Sequence, residues 1–271
     1  MASSVRRRPT QLSRRTYLAT LGTGLLFGLA GCSLAAGDIA SEEVDAPVVG
    51  TADGWSRRIS LAPTDESVRH FGMSVALADD ATTALVSANY HEESDGLKPG
   101  PAYVLGPTDS GWRQQGTLAP TDGDSDMGFG WKGGSTALSG DGTTALVGAD
   151  KADEPTGAWS GAAYVFERSD GTWGPGSKLV PDDGDKKDFF GKSVALAGDG
   201  RIALIGAWGA RSAYVFERID SGWSQQATLV PGDEMGGTFG WSVTLSDDAT
   251  TAVIGAPGAD DPNGEDAGSV Y

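Results

Sequence analysis

The chain has 271 residues, of which 41 are glycine and 21% are charged, a composition too rich in turn formers for a coiled coil or a helical bundle and suited to an all-β protein. Its formal charge is −17, and the five arginines Arg6, Arg7, Arg8, Arg14 and Arg15 all precede the first acid, Asp38, so the remainder is more acidic still. That balance repels phosphates, which excludes a nucleic acid partner or an anionic membrane bound through a basic face.

In chain order, residues 1–31 carry arginines, no acid, and a mildly apolar stretch from Tyr17 to Ala30, the layout of a signal peptide. Ser13-Arg14-Arg15-Thr16-Tyr17-Leu18 resembles the twin-arginine export consensus, with Arg14 and Arg15 as the address. Leu29-Ala30-Gly31-Cys32 resembles the lipobox of lipoproteins, which implies lipid attachment at Cys32. Cys32 is the one cysteine, so an intrachain disulfide and a thiolate metal cluster are excluded. Residues 32–54 form a lipidated, acidic tether without apolar periodicity. The expected location is the outer face of the cytoplasmic membrane, with the lipid as the only membrane contact. Acids scattered along the chain suit a halophilic source, or an ordinary acidic secreted protein.

Residues 55–271 are internally repetitive. Phe71-Gly72, Phe129-Gly130, Phe190-Gly191 and Phe239-Gly240 recur at intervals of roughly 50 to 60 residues, the length of one propeller blade. Each pair is followed by a strand-like run such as Ser193-Val194-Ala195-Leu196, then a short turn, then an apolar run such as Ile202 to Gly206. Asp141-Gly142 and Asp199-Gly200 are hairpin turns between those runs. Third elements are marked by Ala102-Tyr103-Val104, Ala163-Tyr164-Val165, Ala213-Tyr214-Val215 and Ser269-Val270-Tyr271, and fourth elements by Trp112 to Pro120, Trp173 to Pro181 and Trp223 to Pro231. The expected fold is an all-β propeller of four-stranded blades. Trp55 to Pro63 reads as a fourth strand without its first three, and the last unit as three strands without a fourth. Together they would close a ring of four blades and remove its edges; the alternative is part of a larger, for example seven-bladed, propeller.

The fourth unit, Phe239-Gly240 through Gly255-Ala256-Pro257, resembles the full FG-GAP motif, and the pattern extends over residues 55–271. The resemblance implies a propeller of the integrin α type, a ligand-binding and adhesion module that in many members holds calcium between first and second strands. The turns at Asp79-Asp80, Asp141, Asp199 and Asp247-Asp248 are too short and too poor in oxygens for that loop. The family's calcium sites are therefore not carried over.

Only His70 and His91 are available as histidines, and neither stands in a catalytic pattern. Alternate acids on tight loops make Asp122, Asp124 and Asp126, and Asp182, Asp183 and Asp185, candidate cation ligands, against a simply solvated loop. No cofactor is assigned beyond that calcium. Trp159 and Trp208, in loops between second and third strands, and Asp260 with Asp261 are candidate ligand contacts. Trp112, Trp173 and Trp223 read as packing residues. The function expected is an extracytoplasmic binding or adhesion module, a monomer recognising a cell-surface protein or glycan. The alternatives are a structural envelope lipoprotein or a hydrolase using channel carboxylates.

Overall fold

In the computed structural model the residues described are 39–42, 60–88, 90–93, 96–109, 111–120, 122, 128–131, 133–232, 237–260, 264 and 266–271. They belong to one unit spanning Ala36–Tyr271. The leader, Arg14, Arg15, Cys32 and Trp55 lie outside the described residues. None of the described residues forms a helix long and apolar enough to cross a membrane.

Strand β1 (Ile39–Glu42) pairs with β2 (Ser60–Pro63), so part of the segment expected as a tether is a strand. A three-stranded sheet follows, built from β3 (Val68–Arg69) and the hairpin β6 (Tyr90–Glu93) and β7 (Gly96–Pro99). It flanks the first blade, β4 (Val75–Leu77), β5 (Ala84–Ser87), β8 (Ala102–Thr108) and β9 (Gly111–Leu118). The second blade is β10 (Thr136–Leu138), β11 (Thr144–Ala149), β12 (Ala162–Ser169), β13 (Thr172–Trp173) and β14 (Ser177–Leu179), the last two both pairing with β12. The third is β15 (Phe190–Leu196), β16 (Ile202–Ala207), β17 (Ser212–Ile219) and β18 (Gly222–Leu229), and the fourth β19 (Ser242–Leu245), β20 (Ala252–Ala256) and β21 (Ser269–Val270). Every ladder within a blade is antiparallel, the meander of a propeller, with the β6–β7 hairpin inserted between β5 and β8.

The Phe-Gly pair has two separate physical jobs. The phenylalanine fills the space between blades: Phe190 is fully buried and meets Tyr214 edge to face at 5.5 Å, and Phe71 with Tyr103, Phe129 with Tyr164 and Phe239 with Tyr271 repeat the contact. The glycine permits close approach. Gly191 has φ 88°, and a Cβ there would collide with the carbonyl oxygen of Ala162. The glycine of Gly-Ala in the preceding blade, Gly148, in turn lies against the backbone of Gly191, so the motif is the seam between two blades.

Each seam is a sheet-on-sheet core. Leu85, Ala102, Val104 and Leu118 of the first blade bury against Phe129, Ala145 and Val147 of the second. Leu146, Ala163, Val165 and Leu179 do the same against Val194, Leu196 and Ile205 of the third, and Leu204 and Ala213 against Phe239 and Ile254 of the fourth. Trp112, Trp173 and Trp223 pack against these cores, as expected of them. A backbone ladder joins the turns between first and second strands from blade to blade: Asp79 N–H donates to Gly140, Gly140 to Gly198, and Gly198 to Asp247, at 2.8–3.0 Å.

One feature differs from the closed ring anticipated. Where the closing segment is described, β2 bonds to β1 and β21 bonds to β20. Leu61 of β2 packs against the first blade, in the role that Leu118, Leu179 and Leu229 play on the blades that follow them. A leucine one strand ahead of a blade satisfies the seam locally, without the long-range ladder that closure needs.

Candidate functional site

Because the strands alternate in direction, loops joining second to third strands and loops joining one blade to the next emerge at the same end. Trp159 and Trp208 lie in the former class, and the residues beside each Phe-Gly in the latter. The fold brings them together. Trp159 and Phe189 lie 6.0 Å apart between ring centroids, Phe189 stacks on Trp208 at 4.7 Å with 16° between planes, and Trp208 meets Trp241 at 5.5 Å. Four aromatic rings thus run across three blades, with the two terminal rings the most open, Trp159 at 44% and Trp241 at 38% exposure.

Lysines accompany the ridge. The Lys192 ammonium stands 4.6 Å from the centre of Trp241, on a side chain that is otherwise buried, and Lys187 stands 6.0 Å from Trp159. A second group lies towards the first blade, where Tyr90 is 6.3 Å from Trp131 and Lys151 covers the Trp131 face at 3.2 Å. His70 meets Tyr90 at 6.4 Å in this group. Its backbone is left-handed, with φ 55°, as are Gly128 and Phe189 at the same position before the later Phe-Gly pairs.

The ridge is held by unusual backbone. Trp159, Lys187 and Phe189 all have φ between 55° and 66°, a conformation that costs a bulky residue of order 1 kcal/mol. Cross-loop hydrogen bonds impose it: Lys187 N–H donates to Ala158 C=O at 3.0 Å, Phe189 N–H to Trp159 C=O at 3.1 Å, and Gly209 N–H to Asp188 C=O at 3.1 Å. Asp153 accepts the Trp159 N–H at 2.8 Å. Burial raises the Asp188 carboxyl above the usual carboxylate range, and the charges of Asp185 and Asp183 add to it against the Asp185 N–H that its Oδ2 accepts.

In the acidic loops, Asp122 and Asp183 each lie beside a buried tyrosine. Asp122 accepts the Tyr164 hydroxyl at 2.9 Å and pairs with Lys178 at 2.5 Å, and Lys178 also reaches Glu154 at 2.6 Å. Burial works to raise the Asp122 carboxyl, but Lys178 and Tyr164 outweigh it and hold it low. Asp183 takes the equivalent place beside Tyr214, whose hydroxyl burial pushes up first and Asp183 further. Asp65 bears on Tyr103 in the same way. The acid two residues after Pro63, Pro120 and Pro181 therefore lies with the buried tyrosine of the next blade, a pairing across about 30 to 40 residues that sequence reading missed. Its signal was available: Pro63, Pro120 and Pro181 each precede an acid by two positions. Asp182 and Asp185 are exposed, and Asp124 and Asp126 lie outside the described residues. Among the described residues no three His, Cys, Asp or Glu groups gather as a metal would require.

The turns at the calcium position of the family are closed by their own acids. Asp141 accepts the Ser139 hydroxyl at 2.7 Å and the Thr143 N–H at 2.9 Å, and Asp248 accepts the Ser246 hydroxyl at 2.7 Å and the Thr250 N–H at 3.0 Å. The Ser246 and Thr250 bonds lower the Asp248 carboxyl to about 2. Asp260 accepts the Asp266 N–H at 2.8 Å within its own loop, while Asp261 and the side chain of His91 lie outside what is described.

The FG-GAP repeat model matches residues 112–166, 173–216 and 223–271, more than half of the chain. The chain belongs to the FG-GAP repeat family. The three matches cover the second to fourth Phe-Gly units together with the fourth strands that precede them. No curated protein matches it. Similar solved structures include a functionally unknown protein from Desulfotomaculum acetoxidans, at 12% identity and TM-score 0.44, covering 75% of this chain and 53% of that one. A protein from Lactobacillus plantarum has 16% identity and TM-score 0.49, with 82% and 61% covered, and Kuenenia stuttgartiensis hydrazine synthase 12% and 0.42, with 73% and 57% covered. This FG-GAP chain thus spans between half and two thirds of the length of those structures.

Trp131, Phe189 and Trp241 were not singled out from sequence, although each sits within two residues of a Phe-Gly glycine. Knowing that both loop classes share one end is what makes them neighbours of Trp159 and Trp208.

Proposed function

We propose that this FG-GAP protein is a binding module that recognises a neutral glycan of the cell surface through the ridge Trp159, Phe189, Trp208 and Trp241. Export by the Arg14-Arg15 leader and a lipid on Cys32 would place it at the outer face of the cytoplasmic membrane, where such a ligand is met. The observation that carries the reading is the ridge itself: rings from three blades in register, open at both ends, and seated on left-handed backbone that the loops hold in place. Indole and phenyl faces stack on the apolar faces of pyranose rings while leaving sugar hydroxyls to the exposed acids and lysines alongside.

Titration calorimetry with cellotetraose and mannotetraose as probes tests it. Trp159→Ala and Trp241→Ala are each expected to weaken binding about tenfold, the value of one stacking contact. Phe189→Gly keeps the left-handed backbone and removes the middle ring, so it should weaken binding without unfolding the loop. Absence of binding by the parent chain, or affinities indifferent to all three changes, would overturn the assignment.

A further inference from the structure

The ridge contains a shorter unit that the fold repeats. Phe189 stands immediately before the Phe-Gly pair of the third blade, Trp208 between second and third strands of that blade, and Trp241 immediately after the Phe-Gly pair of the fourth. The same three places two blades earlier hold His70, Tyr90 and Trp131. The contacts repeat with the places. His70 meets Tyr90 at 6.4 Å and Tyr90 meets Trp131 at 6.3 Å, as Phe189 meets Trp208 at 4.7 Å and Trp208 meets Trp241 at 5.5 Å. His70 and Phe189 share a left-handed φ of 55°. Each triad ends on a lysine that holds the indole by one face, Lys151 at 3.2 Å from the centre of Trp131 and Lys192 at 4.6 Å from that of Trp241.

Between the triads the corresponding places are Gly128, Asp150 and Lys192, so the rings form two groups and not one continuous band. The groups adjoin on the second blade, which gives Trp131 to one and Trp159 to the other. Both open at the same end of the fold, because they are built from the same two classes of loop. His70 is exposed, and Tyr90 and Trp131 are half-buried, so part of each ring is open to a ligand.

We infer that His70, Tyr90 and Trp131 are a second glycan subsite and that the ligand is a chain long enough to lie on both groups, an inference that rests on the assignment of the ridge. With one sugar to each ring, the four rings of the ridge already occupy a tetrasaccharide. A chain that also meets Trp131 must continue past Trp159 across the second blade. Its contacts there are made within a complex already formed, so the cost of association is not met twice. The two subsites differ in chemistry. Phe189 offers a ring face alone, whereas the His70 imidazole and the Tyr90 hydroxyl can exchange hydrogen bonds with sugar hydroxyls, so the second group reads hydroxyl positions as well as ring faces.

The test is calorimetric titration of the full chain with the two tetraoses and with soluble linear chains of the same sugars, hydroxyethyl cellulose and α-1,6-mannan, concentrations being counted per tetrasaccharide. For the sugar that binds, the long chain should bind at least about tenfold more tightly than the tetraose, the gain from tethering a second contact. Trp131→Ala should bring that ratio close to one, and Trp131→Phe, which keeps a stacking face, should retain most of the gain. His70→Gly keeps the left-handed backbone and alters an exposed side chain, so it tests the subsite even if Trp131→Ala fails to fold by circular dichroism; it should lower the ratio in part. Tetraose binding that depends on Trp159 and Trp241, with a long chain that binds no more tightly, overturns the second subsite and leaves the ridge standing. A gain that survives both Trp131→Ala and His70→Gly does the same. Failure of the parent chain to bind any of the probes overturns both assignments.

Discussion

Alkaline pH should unfold this propeller through Tyr103. The side chain is 2% exposed, and burial, followed by the charge of Asp65, pushes its hydroxyl from 10.0 up to about 12. A raised folded-state value means the fold favours the neutral phenol. The associated stability is fully present below pH 10 and is lost as pH rises from 10 to 12. A shift of about two units is worth about 2.7 kcal/mol at 1.36 kcal/mol per unit. Tyr103→Phe removes the titration while keeping the ring that meets Phe71 at 5.4 Å. At pH 8 the variant should sit level with the parent or about 1 kcal/mol below it, for one lost hydroxyl interaction. Between pH 8 and pH 12 the parent should lose most of the 2.7 kcal/mol relative to the variant, roughly 1 M in urea midpoint for a slope of about 3 kcal/mol per molar. Other groups titrate in this range in both proteins, so the difference between them isolates Tyr103. Urea unfolding followed by tryptophan fluorescence at each pH provides the assay. Curves for parent and variant that stay parallel from pH 8 to 12 would refute the account of Tyr103 as a buried, acid-flanked phenol.

Three further outcomes rest on the backbone and the seams. Ala249 occupies a left-handed turn position, φ 56°, that Gly142 and Gly200 hold in the second and third blades, so Ala249→Gly should stabilise by about 1 kcal/mol, seen as a rise in melting temperature. The reverse change, Gly142→Ala, adds a Cβ 2.9 Å from the Thr83 side chain at φ 64° and should lower it. Phe190→Ala, in the seam between second and third blades, should cost about 3–5 kcal/mol in denaturant unfolding, because fixed sheets on both sides cannot collapse into the space.

What the sequence by itself determined is the blade. Phe-Gly, the Ser-x-Ala-Leu run, Asp-Gly turns and Ala-Tyr-Val each report on one strand or one hairpin, and strand periodicity and turn chemistry act over a few residues. The strands accordingly fall where the four repeats placed them, and Trp112, Trp173 and Trp223 pack in the cores. What only the tertiary structure decided is whatever spans a seam. Asp122 and Asp183 read as candidate cation ligands or as part of a solvated loop, whereas in the fold each lies beside a buried tyrosine of the next blade. Trp159 and Trp208 were visible as loop aromatics, but the ridge required Phe189 and Trp241, brought in from other loops by the alternation of strand direction. Likewise Trp55 to Pro63 reads as a fourth strand, yet its described part, β2, pairs with β1 outside the blades. Side-chain pattern within one strand does not encode its partner across the sheet, so that pairing could be read only from the folded chain.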